Sequence, residues 1–173
     1  MQTQTQASPV ENPFRIAAYF APFDAPLGGR WIDLEGRDKD DVMAEVEAVF
    51  GEGTETRVYD IENIPACVLR DGVLVPETWD FLALDDGEQA TVWAYWEHVD
   101  SLADVKYALE SYSGTGDNPK DWAWDWLEET GDLQSIPAHL RNYFDFDAFV
   151  HDLECDGWVF ARHDGDLFVF RPV

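Results

Sequence analysis

Trp158-Val159-Phe160-Ala161-Arg162-His163, Asp164-Gly165 and Asp166-Leu167-Phe168-Val169-Phe170-Arg171, read in succession, decide the fold. Two runs rich in β-branched and aromatic residues flank an Asp-Gly pair. A two-residue type I′ turn needs positive φ at both central positions, which Asp and Gly tolerate, so the stretch predicts an antiparallel hairpin. Just upstream, Asp145 is placed to cap a helix running to about Leu153, with Phe146, Phe149, Val150 and Leu153 on its inner side. Helix followed by hairpin makes this end of the chain α+β.

Working back from there, Asp121 to Thr130 predicts a helix stopped by Gly131, and Ser113-Gly114-Thr115-Gly116-Asp117-Asn118-Pro119 predicts a loop. Leu102, Val105 and Leu109 mark a helical face, with Ser101 and Asp104 resembling a capping arrangement. Trp79, Phe81 and Leu82 lead through Asp85-Asp86-Gly87 into a helix carrying Val92, Trp93, Trp96 and Val99. Nearer the start, Arg15 to Phe20, Gly29 to Leu34 and Thr56 to Ile61 read as short strands. Val42, Val46, Val49 and Phe50 recur between the last two at helical spacing, and Asp40 and Asp41 sit in the favourable first turn. The expected class is α+β: a multi-domain chain with small antiparallel sheets at both ends and a helical middle. The expected domains are a β-sheet with one helix over 14–62, a helical middle over 63–103 and a C-terminal α+β unit over 104–173. Residues 1–13 are polar, repeat Gln-Thr and read as a disordered arm or leader.

Across 173 residues, 36 Asp and Glu stand against 11 Lys and Arg, a formal net charge of −25. Affinity for DNA comes mostly from cations that neutralise phosphates, so direct nucleic-acid binding is excluded. Acidity alone suggests disorder, yet the chain is 46% hydrophobic and 14% aromatic, with eight Trp and eleven Phe, and can build a core. Cys67 and Cys155 make no disulfide framework, and without a charged-then-apolar leader the expected compartment is the cytoplasm. The longest apolar run, near Pro65 to Leu69, is far short of the roughly 20 residues a spanning helix needs, and no membrane role is expected.

The charge is unevenly placed: residues 1–75 carry −8, 76–135 carry −13 and 136–173 carry −4. At about 100° per residue, Asp121, Asp125, Glu128 and Asp132 share a narrow arc, while Trp122, Ala123, Trp124, Trp126 and Leu127 fill the opposite side. Carboxylates at that spacing destabilise an isolated helix by a few tenths of a kcal/mol each. The bland reading is a solvated face that aids solubility, but Asp80, Asp85, Asp86, Glu88, Glu97, Asp100, Asp104 and Glu110 extend the pattern, with Lys106 almost their only counterion. One DNA charge per roughly 1.7 Å of axis makes −25 equivalent to about 40 Å of duplex, or about a dozen base pairs. The twelve acids are candidate phosphate-mimicking contacts.

Other chemistry finds little support. Asp152-x-Glu154-x-Asp156-Gly157 imitates the start of a calcium loop, but its twelfth position is His163 instead of Glu, and it also reads as a helix end. His98, His139, His151 and His163 are dispersed, with no zinc spacing, so no metal or cofactor is expected. No Walker loop, dinucleotide fingerprint or nucleophile elbow occurs, and a carboxylate pair suited to glycoside hydrolysis arises by chance among 36 acids. No enzyme is expected. Trp93, Trp96, Trp122 and Trp126 could be stacking platforms, though their spacing on apolar faces reads as core.

Gly29-Arg30-Trp31-Ile32-Asp33, Leu127-Glu128-Glu129-Thr130-Gly131, and Ile136-Pro137-Ala138-His139-Leu140-Arg141-Asn142-Tyr143-Phe144-Asp145 with the following Phe146 to Leu153 resemble the ArdA antirestriction proteins, over about Phe14 to Val173. The C-terminal block is the specific part. That resemblance implies an elongated three-domain α+β protein, dimeric through its C-terminal domain, whose acidic surface mimics bent B-form DNA. It implies occupation of the DNA-binding groove of type I restriction-modification enzymes, formed by their DNA-recognition and methyltransferase subunits, to the benefit of incoming mobile DNA. No catalytic residue is implied. The family's antirestriction stretch corresponds to Ile136 to Leu153, with Pro137, Leu140, Asn142, Tyr143, Asp145, Asp147 and Asp152 as candidates; the dimer surface falls in the C-terminal domain, with the loop from Ser113 to Lys120 a candidate part of it. The polar arm and the Trp residues at 122, 124 and 126 depart from the family pattern. The alternative from another class is an acidic chaperone or interaction module for basic DNA-binding proteins, which would bind cationic partners without shape selection.

Overall fold

A computed structural model describes residues 15–99, 102 and 104–173. The arm expected at 1–13, Ser101 and Asp100 lie outside the described residues. The chain divides into two compact units, with the break between Ala83 and Leu84. Among the described residues there are six α-helices, and small antiparallel sheets stand near both ends, so the class is α+β.

The N-terminal unit is organised by β1 (Ala17–Pro22), the middle strand between β2 (Arg30–Asp33) and β3 (Thr56–Glu62). Ala17, Ala18, Phe20 and Ala21 on β1 are buried, and small alanines let the flanking structure close over it. Helix α1 (Lys39–Phe50) starts at Asp38, whose carboxylate accepts the Asp41 N–H at 2.9 Å, and turns Val42 and Val46 into the core. The link from β1 to β2 requires Gly29, because a Cβ there would stand 2.4 Å from the Phe20 carbonyl oxygen. The three strands and the helix lie where residue patterning puts them. A small hairpin of β4 (Leu69–Arg70) and β5 (Val73–Leu74) follows, turned by Asp71 and Gly72 at φ of 51° and 77°. Helix α2 (Glu77–Leu82) closes the unit with Phe81 and Leu82 buried.

The C-terminal unit is built around the hairpin predicted from Trp158 to Arg171. Strands β7 (Val159–His163) and β8 (Asp166–Phe170) pair in register, with Asp164 and Gly165 at φ of 50° and 95° as a type I′ turn demands. Preceding them are α3 (Asp86–Val99), α4 (Val105–Ser111), β6 (Tyr112–Gly116), α5 (Pro119–Glu129) and α6 (Phe146–Cys155). The sheet order is β6-β8-β7, so β8 is central. Successive strand side chains point to opposite faces. Leu167 and Val169 pack with Trp122, Ala123, Val150 and Leu153 of α5 and α6, while Phe168 and Phe170 pack with Ala94 of α3 and Ala161 of β7. Helices therefore cover both faces.

Three local readings are corrected. Residues 113–119, expected as a loop, contain strand β6, paired with β8 from Tyr112↔Phe170 to Gly116↔Leu167. Its Gly and Ser content hides the strand pattern, and the glycines serve packing: a Cβ at Gly116 would lie 3.1 Å from the Trp122 Cβ. Helix α5 begins two residues earlier than expected, because Asn118 caps it by accepting the Asp121 N–H at 3.0 Å and Pro119 suits the first helical position. Leu102, expected on the helical face, precedes helix α4, which starts at Val105 and is capped by Asp104 accepting the Lys106 N–H at 2.8 Å.

Phe170 is 1% exposed at the join of β8, α3 and β6. Phe170→Ala is expected to destabilise the C-terminal unit by about 3–5 kcal/mol, measured as a lower urea midpoint with unchanged slope.

Candidate partner-binding surface

The acids divide by what they do for the backbone and what they leave free. Asp85 and Glu88 form a reciprocal capping box at the start of α3: Glu88 N–H donates to Asp85 Oδ1 at 2.8 Å and Asp85 N–H to Glu88 Oε2 at 3.2 Å. Asp104 caps α4, and Asp145 caps α6 by accepting the Ala148 N–H at 3.0 Å. Asp121 accepts from the Asn118 side-chain amide, and Asp132 from the Thr130 hydroxyl at 3.0 Å. Glu97, Glu110 and Asp147 pair with His163 at 3.2 Å, Lys106 at 3.4 Å and Lys120 at 2.6 Å. Asp80, Asp86, Asp125, Glu128 and Asp152 have no side-chain partner among the described residues.

All eleven described members of the phosphate-mimicking set are exposed, as are Pro137, Leu140, Asn142, Tyr143, Asp145, Asp147 and Asp152. On α5 the division is clean: Asp121, Asp125 and Glu128 face solvent while Trp122, Ala123 and Leu127 are buried. Asp132 does not extend that helical face. Helix α5 ends at Glu129, Gly131 takes φ of 83°, and Asp132 is carried by the turn that leads into a 3-10 segment over Leu133–Ser135.

The tryptophans belong to the core. Trp122 and Trp126 stack at 5.8 Å and 11°, each also meeting Trp158, and Trp126 stacks on Phe149 at 6.1 Å. Trp96 is fully buried, and Trp93 lies 4.8 Å from the His163 ring. These rings have protein neighbours where a stacking platform would have a ligand. Nearby, burial and then the adjacent Tyr107 push the Tyr95 phenol pKa up from its ordinary value.

Arg15, Arg37 and Arg57 pair with Asp33, Glu45 and Glu55, and several guanidiniums also hold backbone carbonyls. Arg37 donates to the carbonyls of Asp33 and Asp41, Arg57 to that of Asp71, Arg141 to those of Ile136 and Gln134, and Arg162 to those of Gly165 and Asp117. A guanidinium has five donors in a fixed fork. Directed at carbonyls, it ties loops and leaves most exposed carboxylates uncompensated.

The run from Asp152 to Gly157 is the end of α6 and its exit turn, with Gly157 at φ of 93°, so its oxygens do not wrap a common centre. Among the described residues no three His, Cys, Asp or Glu are grouped to hold a metal ion, and no helix is long and apolar enough to cross a membrane. No disulfide joins Cys67 and Cys155. The Glu97–His163 pair joins residues 66 apart and has no local signature. By contrast, the Asp85-x-x-Glu88 box is readable as a capping pattern, though both residues present themselves first as members of an acidic run.

The sequence profile of a family described as "Antirestriction protein (ArdA)" matches residues 23–167. No curated protein matches the chain.

Capping acids and free acids respond differently to substitution. Asp145→Ala is expected to cost about 1 kcal/mol of stability, whereas Asp125→Asn stays within about 0.5 kcal/mol of the parent, both read from urea denaturation.

Proposed function

The chain belongs to the ArdA antirestriction family, and on that premise we propose that it acts as a competitive DNA mimic, occupying the DNA-binding groove of a type I restriction-modification enzyme. The observation that carries this reading is the α5 face, where Asp121, Asp125 and Glu128 stand exposed above a tryptophan-rich core. A DNA-binding groove is lined with cations that expect regularly spaced phosphates. Carboxylates held by a folded core at helical intervals meet the same cations without a flexible tail having to be ordered on binding. The unpartnered Asp80, Asp86 and Asp152 add to the surface available for such contacts.

The inhibition so described works by occupancy and involves no bond-making step. The partners are the DNA-recognition and methyltransferase subunits, whose groove accepts duplex. A homodimer joined through the C-terminal unit is part of the same reading, since two copies present twice the charged length to a channel sized for bent DNA. The site of action is the cytoplasm, where restriction of incoming DNA takes place.

The test is displacement of labelled target DNA from a purified type I methyltransferase core. Displacement is expected, weakening steeply as salt rises, because screening acts on the mimic as it does on DNA. Undiminished DNA binding at excess protein sinks the proposal. At about 0.5 kcal/mol for each solvent-exposed charge pair, Asp125→Asn alone weakens inhibition about twofold, whereas joint neutralisation of Asp121, Asp125, Glu128 and Asp132 weakens it about thirtyfold and flattens the salt dependence. A panel of simple basic proteins separates mimicry from an acidic chaperone: a mimic prefers the DNA-shaped groove, a chaperone does not.

A further inference from the structure

We infer that His151 and Cys155, in the last turn of α6, form half of a zinc site, and that the same two residues of a second copy complete it as a tetrahedral site of two sulfurs and two nitrogens. The residues are four apart on one helix, so both side chains leave the same face. Spacing between histidines alone hides the pair, because its second ligand is a thiol. Zinc binding is independent of what the acidic surface meets, and of the proposed function it concerns only the homodimer.

The spacing of the two ligand atoms suits the ion. Cys155 Sγ stands 3.8 Å from His151 Nε2. Around zinc, a sulfur at about 2.3 Å and a nitrogen at about 2.1 Å, held at the tetrahedral angle, stand about 3.6 Å apart. A small rotation of either side chain therefore seats the ion between them. The other ring nitrogen is placed to match: His151 Nδ1 is 3.9 Å from Glu154 Oε2. A ligating histidine donates its second N–H to such a carboxylate, which fixes the ring and raises its basicity. The side chains of His151 and Glu154 are 73% and 53% exposed and Cys155 is exposed, so an ion enters without any unfolding. On binding, the thiol releases its proton to solvent and the thiolate sulfur donates an electron pair to the metal. Cys155 also ends α6, and the C-terminal end of a helix favours a cation.

One chain supplies only two ligands. Among the described residues no three His, Cys, Asp or Glu are grouped to hold a metal ion. A structural zinc takes four ligands, and a second copy related by a two-fold axis brings an identical pair to the same point. Asp152, Glu154 and Asp156, all exposed around the pair, draw a divalent cation towards it. The same acids repel those of a second copy when no ion is present. Four metal–ligand bonds shared between the chains outweigh that repulsion, so the contact between copies at α6 depends on the metal.

The experiment titrates the reduced, metal-free, full-length protein with cobalt(II) as a spectroscopic probe and then with zinc, and follows association by analytical ultracentrifugation. A thiolate-to-cobalt charge-transfer absorption is expected, saturating at one ion per two chains and disappearing as zinc displaces the cobalt. Zinc held at about a hundred times its dissociation constant tightens association about a hundredfold, and a chelator reverses this. Cys155→Ser and His151→Ala lose both the absorption and the zinc effect, while Cys67→Ser keeps them. Absence of the absorption, or its survival in Cys155→Ser, overturns the inference. Saturation at one ion per chain with association unchanged overturns the second copy's part in the site. No restriction enzyme enters these measurements, so their failure leaves the mimicry reading standing, and failure to displace DNA leaves zinc binding standing.

Discussion

Burial of β8 on both faces is the constraint on which the C-terminal unit depends. A strand with one face in solvent alternates apolar and polar residues, whereas Leu167-Phe168-Val169-Phe170 is apolar throughout and every member is buried. Such a strand needs a helical layer on each side and a neighbour on each edge. Helices α5 and α6 supply one layer, α3 the other, and β6 and β7 the edges. At about 1.5–3 kcal/mol for each fully buried large side chain, this one strand accounts for a substantial share of the unit's cohesion. The placement of α5, and with it the exposure of Asp121, Asp125 and Glu128, follows from covering Leu167 and Val169.

That core is what permits the charge. A polyanion of net −25 repels itself, and self-repulsion favours expansion. Two features oppose it. The aromatic core, with Trp122, Trp126, Trp158, Phe149 and Phe160 in mutual contact, gives dense burial in a small unit. Several acids also serve as helix caps, so Asp38, Asp85, Asp104 and Asp145 contribute to stability while adding to the negative surface. The arginines are few: Arg15, Arg37 and Arg57 each pair with one acid, and those that reach carbonyls fasten loops, so most exterior acids stay uncompensated.

Much of this is legible along the chain. The hairpin from Trp158 to Arg171 is readable because turn chemistry and residue type agree, and the same holds for α6 with its Asp145 cap. Strand β6 is not readable: Ser113, Gly114 and Gly116 have weak strand propensity, and the strand exists because β8 offers an unpaired edge and Trp122 needs the space over Gly116. The β4–β5 hairpin is too short for periodicity to register, although its Asp71-Gly72 turn repeats the chemistry of Asp164-Gly165. For the candidate surface, helical spacing identifies the three acids of α5 but misplaces Asp132, since a periodic argument continues past Gly131 where the helix does not.

By itself the sequence determined the sign and distribution of the charge, the α+β class, the decisive hairpin and the exposure of the α5 carboxylates, because each depends on local propensity or on a period that a single element imposes. Only the tertiary structure decided which carboxylates find a distant partner, as Glu97 does in His163 and Asp147 in Lys120, where the arginine donors go, and that Tyr143 stands in solvent while Phe144 beside it is anchored. Those outcomes depend on partners distant along the chain or on how a non-periodic loop folds back on itself, and no spacing rule carries that information.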